Sequence, residues 1–60
     1  MEKEEILRLE NRPITLRQLI SIEESEGAKG VYTIAESALY PYMCDMRVVF
    51  TDGQVINVYL

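Results

Sequence analysis

Sixty residues hold one domain at most, and a chain this short buries only about 60% of the surface that its unfolded form exposes. Ten acidic against six basic side chains give a net charge of −4 with no basic tract, which disfavours direct binding to nucleic acid or to an anionic membrane. With Cys44 as its one thiol and no histidine, the chain cannot form an internal disulfide and lacks the donors for a zinc site, so no metal and no cofactor are expected.

Met1-Glu2-Lys3-Glu4-Glu5 lacks the basic-then-apolar order of a signal peptide, and no apolar stretch is long enough to span a membrane. A free cysteine without an export signal points to a reducing, cytoplasmic setting. The chain shows no repeat, low-complexity run or linker, so residues 1–60 read as a single small domain.

Residues 2 to 10 have helix-forming composition. Glu4 precedes Arg8 by one helical turn, and Ile6, Leu7 and Leu9 supply an apolar side. Asn11-Arg12-Pro13 ends this helix, because the residue before proline is pushed out of the α region.

A second helix begins at Thr15. Thr15-Leu16-Arg17-Gln18 is a capping box, and Ile14 with Leu19 forms the hydrophobic staple. Leu16, Leu19, Ile20 and Ile22 are read as its apolar stripe. Glu23, Glu24 and Glu26 are unfavourable at a helix C-terminus, so an early end near Ser21 or Ile22 is expected, with Gly27 in the left-handed position beyond it.

Val31-Tyr32-Thr33-Ile34 has strand composition, and Thr33-Ile34-Ala35-Glu36 also fits a capping box. The reading is a short strand near 30–34 followed by an irregular or one-turn helical stretch. The alternative is a longer strand reaching Leu39, and Pro41 ends either version.

From Met43 to Leu60 two apolar strands flank Asp52-Gly53, a hairpin signal. A two-residue turn would pair Phe50 with Val55 and Val49 with Ile56. It would put Met46, Val48, Phe50, Val55 and Tyr59 on one face, and Val49, Ile56, Val58 and Leu60 on the other. Both faces would then need a cover. The expected core is Leu16, Leu19, Ile20, Val48 and Phe50.

No residue set carries catalysis. Histidine is absent, and Cys44 in an apolar strand reads as a small buried hydrophobe without a base to activate it. Strand-Asp-Gly-strand is too common an arrangement to identify a family. The residues with binding character are Tyr40 and Tyr42, held on a stiff Tyr-Pro-Tyr segment, and the apolar second face at Val49, Ile56, Val58, Tyr59 and Leu60. Glu23, Glu24, Glu26 and Glu36 form a candidate acidic patch.

The expected fold is α+β: one or two short N-terminal helices packed on a small antiparallel sheet of two or three strands that ends in a C-terminal β-hairpin. The expected function is a non-enzymatic protein-binding module, a small acidic inhibitor or adaptor of the kind phages and mobile elements encode, which covers a surface of another macromolecule. The second reading is an assembly module that works as a homo-oligomer through its C-terminal strand. The partner is a protein, the chain itself, or both.

Overall fold

A computed structural model describes residues 1–36 and 41–60, with the side chains of Ala35 and Glu36 outside that description. The expected α+β arrangement is present. Two helices, α1 (Lys3–Leu7) and α2 (Leu16–Glu23), precede three strands, β1 (Ala28–Glu36), β2 (Cys44–Phe50) and β3 (Val55–Tyr59). The strands form an antiparallel meander in the order β1-β2-β3.

Helix α1 is shorter than its composition suggests. The chain tightens after Leu7, with the N–H groups of Leu9 and Glu10 donating to the carbonyls of Ile6 and Leu7. Asn11 then adopts φ 59°, a left-handed conformation that asparagine tolerates better than most residues. That reversal sends residues 11–14 along the outer edge of β3. Asn11 N–H donates to the Asn57 carbonyl at 2.7 Å, Tyr59 N–H to Arg12 at 3.1 Å, and Ile14 N–H to Tyr59 at 2.7 Å. Pro13 is tolerated here because an edge segment needs no ladder donor at every position.

The capping box of α2 is formed as read. Thr15 Oγ1 accepts from Gln18 N–H at 3.1 Å, and Gln18 Oε1 accepts from Thr15 N–H at 2.8 Å. Ile14 is buried and Leu19 packs against the core. The helix runs on to Glu23, with Glu24 as a right-handed cap. Gly27 is not the left-handed terminator: Gly53 is the glycine with positive φ among the described residues. Ser25 follows the helix, buried, its hydroxyl within reach of the carbonyls of Ser21 at 2.8 Å and Met1 at 2.7 Å.

The stripe of α2 differs from the expectation. Ile22 is fully buried, whereas Leu16 is 63% and Ile20 49% exposed. Two positions along a helix turn the side chain by roughly 200°, so Ile20 and Ile22 cannot share a face. The inward side runs through Leu19, Ile22 and Ser25.

The hairpin register also differs by one residue. Val49 pairs with Val55, Val48 with Ile56 and Met46 with Val58. The loop holds Thr51, Asp52 and Gly53: Phe50 N–H donates to Gln54 at 2.8 Å, and Gly53 N–H to Phe50 at 3.0 Å. Gly53 at φ 92° takes the left-handed place of a three-residue, bulged loop instead of the second place of a two-residue turn. Asp52 Oδ1 accepts from Gln54 N–H at 2.9 Å and closes the loop locally.

The extra loop residue turns over every side chain of β3. Ile56 and Val58 now face inward with Met46, Val48 and Phe50, while Val55 and Asn57 face outward. The core is Ile6, Ile14, Ile22, Met46, Val48, Phe50, Ile56 and Val58. Helices and core lie on one face of the sheet.

Candidate protein-binding surface

The opposite face of the sheet is built from the outward positions of all three strands. Val49 on β2 is flanked by Gly30 on β1 and by Val55 on β3. Arg47 is flanked by Tyr32 and Asn57. Gly30 leaves room for the Tyr32 ring: a Cβ there would sit 2.9 Å from the Tyr32 hydroxyl, so the Tyr32 side chain lies back over the glycine backbone. Tyr32 thus leans toward the row of Val49 and Val55. Val49 is half-buried by these neighbours, while Tyr32 is 54% and Val55 45% exposed.

Beyond Tyr32, a register shift between Thr33 and Ala35 sets Ile34 in a bulge, where it is largely exposed. The chain re-enters the described region at Pro41. Tyr42 follows, fully exposed and at φ 69°. A bulky residue in the left-handed region is unusual and costs of order 1–3 kcal/mol, which the surrounding chain must offset.

The expected binding residues are therefore dispersed. Tyr42 and Val49 lie at the surface or partly so, and Leu60 is half-buried, bonded to Cys44 through both backbone groups at the end of the β2–β3 ladder. Ile56 and Val58 belong to the protein's own core, a consequence of the one-residue register change. Tyr59 is 8% exposed and sits beside the Arg12–Ile14 segment. That segment also occupies the outer edge of β3, so strand pairing between copies through this edge would first require residues 11–14 to leave. Tyr40 lies outside the described residues.

The acidic patch is smaller than expected. Glu23, Glu24 and Glu26 are exposed together after α2. Glu36 pairs with Cys44 at one end of the sheet, whereas Ala28 pairs with Phe50 at the other, so the length of β1 separates Glu36 from the three. All three are solvated carboxylates of the kind that end many helices.

Other features bear on chemistry only weakly. Cys44 is a half-buried free thiol in β2. Among the described residues, no three metal-capable side chains converge, and no helix is long and apolar enough to cross a membrane. A shallow depression of about 360 Å³ lies between the N-terminus and the end of α2, bordered by Glu2, Lys3 and Glu26. Lys3 is committed elsewhere: its ammonium pairs with the Asp52 carboxylate and stands 5.2 Å from the centre of the Phe50 ring. The hydrogen bond from Lys3, then that from Gln54 N–H, holds the Asp52 carboxyl below its ordinary pKa. These contacts join α1 to the hairpin loop.

Sequence reasoning missed Tyr32, Ile34 and Val55 as surface residues. One signal was present. A two-residue turn places Asn57 among apolar neighbours, whereas a three-residue loop sorts Ile56, Asn57 and Val58 into clean alternation. No family model matches this chain, and neither a curated protein nor a solved structure is similar to it at a level that counts as a match.

Proposed function

We propose that this protein is a non-enzymatic protein-binding module, an inhibitor or adaptor that covers a surface of another protein molecule with the outer face of its sheet. One observation carries this reading: the helices cover a single face of the sheet, and Tyr32 and Val55 stand half-exposed around Val49 on the other. Tyrosine and valine in such a place supply contact area at little entropic cost. A sixty-residue domain has few apolar side chains to spare for solvent.

Photo-crosslinking tests the reading. With Tyr32 replaced by p-benzoylphenylalanine, irradiation of cells that express the chain should yield covalent adducts of one defined mass. Val55→Lys on the same face should abolish them. Irradiation that leaves only unmodified chain, or adducts that Val55→Lys does not change, would overturn it.

A further inference from the structure

Helix α1 is held by parts of the chain that all follow it. Ile6 is fully buried in the core that Ile14, Ile22 and the sheet complete. Lys3 pairs with Asp52 in the β2–β3 loop and stands 5.2 Å from the centre of the Phe50 ring. The Met1 carbonyl lies 2.7 Å from the buried Ser25 hydroxyl, and a Cβ at Gly27 would lie 3.8 Å from the Lys3 Cβ. The site that receives α1 is therefore complete within residues 11–60. A helix of five residues cannot stand alone in water, so α1 needs such a site, but the site can belong to either of two copies.

A single turn decides between them. Leu9 to Arg12 reverse the chain, closed by Arg12 N–H donating to the Leu9 carbonyl at 3.0 Å, with Asn11 in the third position at φ 59°. That position of a turn calls for glycine or asparagine when φ is positive. Beyond the turn the chain is pinned to β3, where Tyr59 N–H donates to Arg12 and Ile14 N–H to Tyr59. Rotation of Asn11 to the extended region opens the turn and swings residues 1–10 away as a unit, while the strip stays on its strand.

We propose that Asn11 is the hinge of an arm exchange, in which two copies of this chain swap residues 1–10 about a two-fold axis and each α1 fills the site of the other copy. The occupant is given by the fold, because the site is seen filled by this same helix. Closed monomer and exchanged dimer make the same contacts between α1 and its site, so no new apolar interface has to form. Hinge and concentration set the balance. The tether keeps α1 beside its own site at an effective concentration on the order of 1 mM, and asparagine tolerates the closed turn, so the dilute chain is monomeric. A β-branched residue at position 11 penalises the closed turn alone and drives exchange. Exchange uses the helical side of the sheet and leaves Tyr32, Val49 and Val55 uncovered on both copies, so the dimer would present the face proposed above twice; the exchange itself does not depend on that reading.

A disulfide trap tests the hinge, because the 3.8 Å between positions 3 and 27 lies within the Cβ separation of about 3.5–4.5 Å that a disulfide requires. In a Cys44→Ser background, chains carrying Lys3→Cys are mixed with chains carrying Gly27→Cys, refolded together at about 1 mM and oxidised. With Asn11 in place, a covalent species of twice the 6.9 kDa chain mass should form, and Leu16→Cys, on the exposed side of α2, should not replace Gly27→Cys in forming it. Sedimentation equilibrium of the otherwise unaltered chain should then show Asn11→Val dimerising about tenfold or more tightly than wild type, and Asn11→Gly less tightly than Asn11→Val. No linkage between positions 3 and 27 of different chains, or linkage to position 16 as abundant as to position 27, overturns the proposal. So does a folded Asn11→Val chain that dimerises no more tightly than wild type. If Asn11→Val does not fold, the trap with Asn11 in place decides alone.

Discussion

The two faces of the sheet both carry valine and differ in what covers it. Inward, Val48 and Val58 are fully buried and Ile56 is 3% exposed; outward, Val55 is 45% exposed. Val55 and Ile56 are neighbours in β3 and nearly alike in chemistry, so their burial follows from register and not from residue type. In a two-layer protein of this size, apolar composition identifies the sheet but not which side of it is the core.

Substitution at the buried face should break the fold, and this is the largest effect expected. Phe50→Ala should cost about 3–5 kcal/mol, comparable with the whole stability of a small domain, and Ile56→Ala about 2–5 kcal/mol. Val55→Ala, one residue away, should change the unfolding free energy of the dilute chain, from urea titration, by no more than about 0.5 kcal/mol. Equal losses at Val55 and Ile56 in the dilute chain would erase the distinction between the faces.

The loop that sets the register comes next. A side chain with a branched Cβ at Gly53, held at φ 92°, should destabilise by about 1–2 kcal/mol, read as the shift in denaturation midpoint of Gly53→Val. Open space surrounds that position, so the cost is conformational and not steric. A midpoint that does not move would mean that the loop can relax to another turn and that the register is held by the strands alone.

On the helical side, Thr15→Ala should cost about 1 kcal/mol by removing the acceptor for Gln18 N–H. Thr15→Ser, which keeps the oxygen, should restore most of it. The pair sharpens the comparison because the cap fixes where α2 begins, and so presents Ile22 inward while Leu16 and Ile20 face solvent.

The smallest effect concerns the tie between α1 and the loop. Asp52 has a lowered pKa in the folded chain, so its ion pair with Lys3 contributes stability above the unfolded carboxyl pKa of about 3.9. That contribution disappears as pH falls through the folded value. The difference in unfolding midpoint between wild type and Asp52→Asn should be present at neutral pH, shrink below about pH 4, and diminish in high salt because both side chains are solvent-accessible. A difference independent of pH would assign the effect to loop geometry instead of charge.

What could be read without the structure was local. Thr15 and Gln18 bond across three residues, so the capping box is visible as a spacing and formed as written. Asn11-Arg12-Pro13 marks where the first helical segment cannot continue, through the steric restriction before proline, although α1 itself ends at Leu7, and Asp52-Gly53 marks the turn. Together with the strand composition of residues 43–60 these determined the α+β class and the order of elements. Tertiary structure decided three further matters. The loop took three residues and not two, because only that register puts Ile56 and Val58 on the side of β3 that the helices cover. Helix α2 turned Ile22 inward and left Leu16 and Ile20 outside. The strip from Asn11 to Ile14 closed the edge of β3, and the register left Tyr32, Val49 and Val55, not Ile56 and Val58, as the apolar side chains of the uncovered face. Each of these depends on which distant surface a side chain meets, and burial of apolar area is a non-directional, long-range sum that no single local spacing encodes.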